Sequence, residues 1–542
     1  MKREKPDNQR ALEQVFVYHQ ATKHHFNAYA RGPGNLDWAN QPNPFRRYQG
    51  AQLITLASDL PAGEVRYDDV FVRGQLSPVP VTARSISQLF YDSLTISAWK
   101  STGYSRWALR VNPSSGNLHP TEGYLLCGPV DGLCEQAMVC HYAPQEHALE
   151  VRAEVDSELW AGLTAGFPAG TLFIGLTSVH WREEWKYGQR AYRYCQHDVG
   201  HAVAAVSMAA AGLGWQATLL DELGANDLAL LMGTASHDDA EQEVPDLLLA
   251  ISPVTFTAGK VALSSEHVQL FASLQWQGVA NQLSAAHIDW GVAEVANATH
   301  KPPGRIQYEA YDIHQVEPSI FDKADVRPCL LRNIIQQRRS AVAMDGRTRI
   351  SRKTFFHMLA RTVALSSPPL NVLPWQPKIH LVLFVHRVDD LPAGLYLLVR
   401  DPAQLNSLKS ALTQVDEWQQ AEGCPEQLAL YCLFETDVQE ASRQISCFQD
   451  IASDGCFSLA MIAAYQTPLQ HYGPWFYPRL FWEAGMIGQI LYLEAEAAGI
   501  RSTGIGCFFD DAMHDVLGLK DREYQDLYHF TVGGPVEDVR LR

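Results

Sequence analysis

The chain has 542 residues, with 43 Lys and Arg against 60 Asp and Glu, for a net charge of −17. Hydrophobic residues make up 46% and charged residues 19%, which excludes a largely disordered, collagenous or coiled-coil chain. The acidic balance excludes a general polyanion binder, so no nucleic-acid partner is expected. A single core stops growing near ~250–300 residues, and more than one domain is therefore expected.

The start, Met1-Lys2-Arg3-Glu4-Lys5-Pro6-Asp7-Asn8, is followed by no apolar stretch of the secretory kind. No window approaches the ~20 apolar residues of a membrane span. A cytoplasmic protein without membrane association is expected. The 10 cysteines form no C-x-x-C pair or other zinc spacing, so the expectation is free, mostly buried thiols and no metal.

In chain order, the first informative segment is residues 110–124, where Pro113, Ser114, Ser115, Gly116 and Asn117 crowd before an apolar run at 124–126. A loop of this kind exposes backbone N–H groups and short hydroxyls, and admits another backbone or a flat ring. By itself it also reads as an ordinary turn. An apolar run at 171–177 has strand length. Next comes Glu184-Trp185-Lys186-Tyr187-Gly188-Gln189-Arg190. Lys186 beside Tyr187 has the make-up of an acid/base pair, although in a regular helix neighbours point ~100° apart and only one faces a substrate. His197 and His201 share one helical face, but no third ligand accompanies them, and a structural role is expected. The helix that follows carries Gly200, Ala204, Ala205 and Ala209, small residues suited to a close helix–helix contact.

Residues 258–315 read as an arm with helical pieces and a break at Pro302-Pro303. After it, a helical stretch ends in Arg338-Arg339-Ser340, two guanidinium forks and a hydroxyl able to grip a phosphate. A second strand-length apolar run lies at 379–385. Near the end, Gly504-Ile505-Gly506 forms a Gly-x-Gly turn that offers amides to a ring or phosphate.

The chain repeats itself once. Tyr187-Gly188 matches Tyr472-Gly473, Asp198 matches Glu483, Gly200 matches Gly485, Gly214 matches Gly499 and Gly233 matches Gly518, all at an offset of 285 residues. Two copies of one α+β domain are expected at 1–257 and 316–542, joined by the arm, each a mixed sheet flanked by helices. The small residues of the two matched helices suggest that the copies pack as an internal pseudo-dimer.

Together these segments resemble one family. Pro113-Ser114-Ser115-Gly116 with Pro120 is similar to the P-S-S/A-G-x-x-x-P loop of SagB/ThcOx-type dehydrogenases, a branch of the FMN-dependent nitroreductase superfamily. The stretch from Lys186 to His201 resembles the K-Y-G-x-R-x-Y-R-Y-x-x-x-D-x-G-H segment of that branch. Arg338-Arg339-Ser340 resembles the superfamily's phosphate motif, with Val342 where the pattern has an Arg. Residues 483–506 resemble its closing segment. The resemblance implies FMN bound between the two halves, with Arg338, Arg339, Ser340, Gly504, Ile505 and Gly506 from one side and Pro113, Ser114, Ser115, Gly116 and Asn117 from the other. It also implies Lys186 as base and Tyr187 as its partner. The counterpart residues have diverged: Thr218-Leu219-Leu220-Asp221 aligns with the Gly-x-Gly segment, and His471-Tyr472 with Lys186-Tyr187. One complete composite site is therefore expected. The implied activity is dehydrogenation of a small or peptide-borne heterocycle, azoline to azole, with a small-molecule or peptide substrate. The alternatives are an NAD(P)H-dependent nitro or quinone reductase and a non-catalytic flavin-binding partner of a peptide-modifying complex.

Overall fold

The structure is a computed structural model that describes residues 7–60, 63–72, 74–235, 240–256, 261–309 and 329–541. Two seven-stranded sheets form its frame. The first contains β1 (Leu53–Thr55), β2 (Thr121–Cys127), β3 (Ala137–Ala143), β4 (Ala148–Val155), β5 (Leu172–Val179), β6 (Gln216–Leu219) and β7 (Glu243–Ser252), in the order β1-β4-β3-β2-β5-β7-β6. The second contains β8 (Ile379–Val385), β9 (Gly394–Leu398), β10 (Gln419–Gln420), β11 (Leu430–Glu435), β12 (Phe457–Ala464), β13 (Arg501–Ile505) and β14 (Tyr524–Gly533), in the order β10-β11-β9-β8-β12-β14-β13. From β2 and β8 onward the two orders correspond strand for strand, and β5 and β12 begin 285 residues apart, as the repeat requires. The α+β class and the helix-flanked sheets stand as expected. Strand direction alternates, and the expected mixed pairing gives way to ladders that are antiparallel throughout both sheets, since apolar runs record burial and not direction.

β5 and β12 are buried along their whole length. Covered on both faces, they read as continuous apolar runs and not as an alternation. The covering helices that matter for the site are α1 (Asp7–Ala21), α2 (His180–Tyr187), α3 (Ala191–Gly212), α4 (Leu331–Gln337), α5 (Tyr477–Ala497) and α6 (Asp510–Leu517).

The matched helices α3 and α5 pack directly on each other across the two halves. Their small residues are a steric requirement. A Cβ on Gly200 would lie 2.3 Å from the Trp482 carbonyl oxygen, and one on Gly485 would lie 2.2 Å from that of His197. Overpacking at such a crossing costs ~1–3 kcal/mol or more. One apolar core runs through this seam, joining Val199 and Val203 of α3 to Trp482 and Ile487 of α5.

Buried charge also joins the halves. Asp510, at the start of α6, receives Arg190 at 2.9 Å and Arg193 at 2.7 Å, and accepts the His24 N–H at 2.8 Å. Arg332 of α4 grips Asp92 at 2.9 Å. The arm carries the expected helical pieces, Ser265–Leu270 and Val292–Ala298, and its Val279–Ala280 pairs with Tyr48–Gln49. The expected boundaries at 257/258 and 315/316 lie outside the described residues. No helix among those described is long and apolar enough to cross a membrane.

Candidate functional site

A cavity of about 370 Å³ opens between the halves, within the size range of roughly 300–1,000 Å³ typical of small-molecule sites. Of the residues singled out in the sequence, Pro113, Ser114, Ser115, Gly116, Asn117, Tyr187, Arg338, Arg339, Ser340, Gly504, Ile505 and Gly506 all line it. Lys186 stands at its edge, with Nζ beside Gly116.

The loop after Arg110 is held by left-handed turns. Gly116, Asn117 and His119 have φ of 58°, 60° and 52°, values that favour Gly and Asn. Asp198 of α3 fastens this loop: its carboxylate accepts the Ser115 N–H at 3.0 Å and the Ser115 hydroxyl at 3.1 Å. Asn117 donates to the Ala108 carbonyl at 2.9 Å. Burial pushes the Asp198 carboxyl up to about 7, even with the Ser114 and Ser115 contacts opposing the shift.

α2 ends at the pair of interest. Tyr187 leaves helical geometry, with φ −115° and ψ 0°, and Gly188 turns the chain at φ 55°. A regular helix would point Lys186 and Tyr187 apart, but this break brings both against one spot. A Cβ added to Gly116 would lie 2.6 Å from the Tyr187 hydroxyl and 3.0 Å from Lys186 Nζ. The missing side chain of Gly116 therefore leaves room for both groups. The Tyr187 hydroxyl is held well above its usual pKa by burial first, then by the nearby Glu183, so it stays protonated.

The second half supplies the opposite wall. Arg338 donates through Nε to the Val111 carbonyl at 3.1 Å and through Nη2 to that of Arg110 at 3.0 Å. Arg339 donates through Nη2 to the Ser97 carbonyl at 2.7 Å. These carbonyls are neutral. Both guanidiniums are buried, and burial lowers the pKa of each, Arg339 to about 10. Arg338 Nη1 and Arg339 Nε have no hydrogen-bond partner among the described residues. Arg110, also buried and lowered to about 10, and Lys100 line the same cavity. Concentrated buried cation with unfilled donors calls for an anion with several acceptors.

Gly504-Ile505-Gly506 is not the turn that the sequence suggests. Gly504 and Ile505 close strand β13, which pairs with β14. The Gly504 N–H donates to the Tyr492 hydroxyl at 3.0 Å, and the Ser340 hydroxyl lies 2.8 Å from the same oxygen. The glycines are fixed by aromatic neighbours: a Cβ on Gly504 would meet the Tyr528 hydroxyl at 1.9 Å, and one on Gly506 would meet the Tyr194 ring at 2.4 Å. Tyr194 in turn lies 4.5 Å from Tyr187, ring to ring. Contacts thus run continuously from Arg338 through Tyr492, Gly504 and Gly506 to Tyr187 and Lys186.

Several residues at the site escaped sequence reasoning. Tyr492 falls at an unspecified position inside the 483–506 segment, and Tyr528 lies in an apolar strand. Asp198 was visible as the acidic position of the repeat and of the Lys186–His201 segment, but not as the group that fastens the Ser115 loop. Glu183, one helical turn before Lys186, is fully buried with neither carboxyl oxygen hydrogen-bonded among the described residues, and burial raises its pKa. His197 stacks on Tyr528 at 4.1 Å and His201 lies 3.2 Å from the Tyr528 hydroxyl, so both sit in the seam between halves.

The counterpart position across the pseudo-symmetry is filled. Only about 50 Å³ remains there. Asp221, aligned with Gly506, pairs with Arg479, and the Tyr308 hydroxyl of the arm donates to the same carboxylate. Tyr308, Tyr472 and Phe476 crowd the space with aromatic contacts. Glu483, aligned with Asp198, accepts the Lys378 N–H at 3.0 Å and pairs with Arg400.

Residues 404–534 match the model of the nitroreductase family. A solved structure from Anabaena variabilis, described as a nitroreductase, shares 20% identity, covers 96% of this chain and 99% of its own, and superposes with a TM-score of 0.68. The fold is that of the nitroreductases. A described nitroreductase from Ralstonia eutropha aligns over 40% of this chain and 95% of its own at 17% identity and TM-score 0.28. The E. coli microcin synthetase McbBCD complex aligns over 46% of this chain and 94% of its own, at 19% identity and TM-score 0.27. No curated protein matches the chain. In this nitroreductase fold, the residues around the cavity fit FMN on three counts: unfilled buried arginine donors for a phosphate, glycines that keep the wall flat, and hydroxyls facing the space between.

Proposed function

We propose that the chain is an FMN-dependent oxidoreductase, with one cofactor site between its halves, that dehydrogenates a small or peptide-borne heterocycle of the azoline type. The observation that carries this reading is the joint placement of Lys186 Nζ and the Tyr187 hydroxyl over Gly116, in a cavity whose other wall holds buried arginines with free donors.

FMN, when bound, supplies the hydride acceptor. Arg338 and Arg339 would hold its phosphate through Nη1 and Nε, with Ser340 beside them. Gly504, Ile505 and Gly506 would line its ring and chain. The Pro113–Asn117 loop, fastened by Asp198, would close the opposite side. Lys186 would take the ring proton of the substrate at Nζ, and Tyr187, protonated through burial, would donate a hydrogen bond that orients the reacting group. Such a base is needed because the ring gives up a hydride from one position and a proton from its neighbour.

The alternative, an NAD(P)H-dependent reductase of nitro compounds or quinones, needs an open cofactor face and can take its proton from water. A stopped-flow experiment on the FMN-loaded chain separates the two. An azoline should bleach the flavin absorbance and NADPH should not. Fast bleaching by NADPH, together with quinone turnover indifferent to Lys186→Ala, would favour the reductase.

A further inference from the structure

Cys507 directly follows Gly506 and lines the cavity, while Cys447 lies on a separate loop 60 residues earlier. Their sulfurs are 2.7 Å apart. Cys447 and the next residue, Phe448, both adopt left-handed backbone, with φ of 55° and 59°. Two consecutive non-glycine residues in that region persist only where the surroundings hold them. Here the following residue does so: Gln449 donates through its side chain to the Ser446 carbonyl at 2.8 Å and to the Cys507 carbonyl at 3.0 Å. The loop bearing Cys447 is thus tied to the main chain of Cys507 itself.

Both thiols are partly exposed, unlike the buried Cys127, Cys140, Cys195 and Cys456. Cys507 is the easier of the two to deprotonate: the adjoining Cys447 thiol lowers its pKa most, followed by His24 and the Arg190 guanidinium. The Cys447 thiol is shifted upward. One reachable thiolate beside one resolving thiol is the arrangement that thiol–disulfide exchange requires.

We propose that Cys447 and Cys507 are a reversible dithiol–disulfide pair in the cavity wall, oxidised by low-molecular-weight disulfides. The Cys507 thiolate attacks one sulfur of a disulfide such as glutathione disulfide, forming a mixed disulfide and releasing one thiolate. Cys447 loses its proton to solvent and attacks the Cys507 sulfur, expelling the second thiolate. Two protein thiols are oxidised, and one small disulfide is reduced to two thiols. The sulfurs of a disulfide stand about 2.05 Å apart, a short step from the 2.7 Å between these two. Closure removes a negative charge from the wall near Arg190. The step needs nothing bound in the cavity, so it stands or falls separately from the FMN reading.

The test uses the full chain, fully reduced, then exposed to glutathione disulfide, blocked with N-ethylmaleimide and mapped by peptide mass spectrometry. Wild type should lose two alkylatable thiols and yield a peptide pair joined through 447 and 507, and dithiothreitol should restore both thiols. Cys447→Ser should stop at a glutathione adduct on Cys507. Cys507→Ser should leave Cys447 reacting at least ten-fold more slowly than Cys507 reacts in wild type. The proposal is overturned if wild type keeps both thiols alkylatable under conditions that oxidise dithiothreitol. A cross-link confined to Cys127 and Cys134 would overturn it equally.

Discussion

At the scale of single residues, the arginine pair defines the sharpest expectation. Arg338→Ala removes the side chain whose Nη1 is free to meet a phosphate, and a charge-assisted contact of this kind is worth ~1.5–3 kcal/mol. FMN affinity, measured by fluorescence quenching, should fall by the corresponding factor of ~10–150. Riboflavin, which has no phosphate, should bind wild type poorly and respond little to the change. Equal losses for both ligands would mean that Arg338 serves only the Arg110 and Val111 carbonyls. Lys186→Ala and Tyr187→Phe should leave FMN bound with a near-normal visible spectrum while lowering azoline oxidation ~10²–10⁴-fold. The sequence identified these residues because short motifs persist where backbone and charge are constrained. It did not identify Tyr492, Tyr528 or Glu183, whose roles arise only when α5, β14 and α2 converge in space. Helical periodicity alone points Lys186 and Tyr187 apart, because the helix break at Gly188 is a conformational event and periodicity assumes none.

At the scale of elements, helix termini and helix faces carry the charges that fix the site. Asp198 on α3 has a folded pKa of about 7, above the ordinary 3.8. The folded state therefore binds this proton more tightly than the unfolded chain, and the group's contribution to stability is lost as pH rises between those values. Asp198→Asn, which cannot ionise, should gain on wild type by on the order of 1.4 kcal/mol per pH unit approaching pH 7, then level off. Urea midpoints for both proteins from about pH 5 to 8 read this out. A pH-independent difference would show that Asp198 is already ionised in the fold. Asp510 at the head of α6 behaves oppositely. Burial pushes its carboxyl up, but Arg190 and Arg193 together hold it well below the carboxylate range. Its stabilisation is present above the unfolded pKa and lost as pH falls. Asp510→Asn strands two buried guanidiniums and should cost ~3–5 kcal/mol near neutral pH, a deficit that narrows in acid. The repeat register made α3 and α5 legible in advance. The uniformly antiparallel strands were not, since apolar runs record burial and carry no direction.

At the scale of the whole molecule, the two halves differ in what they have kept between them. One interface holds about 370 Å³ of lined space and its counterpart about 50 Å³. We therefore expect one FMN per chain, a flavin-to-protein ratio near ~1 after denaturing release and absorbance quantification. A ratio near two would mean that Asp221, Arg479 and Tyr308 yield to a ligand. The sequence made the difference between the two positions legible through the missing glycines, but it did not show what occupies the counterpart, because Tyr308 arrives from the arm and belongs to neither copy of the repeat.

That occupation has a consequence for how such a chain can change. In a two-fold assembly of identical subunits, every substitution appears at both sites at once, so neither can be given up while the other is kept. Joining the copies in one polypeptide removes that coupling. Here the counterpart position is a fastening: Asp221 holds Arg479 on one side and Tyr308 on the other, which anchors the connector to the seam. Placing glycine at position 221 would release that fastening before it could open a pocket, so any path to two equal sites passes through a less stable molecule.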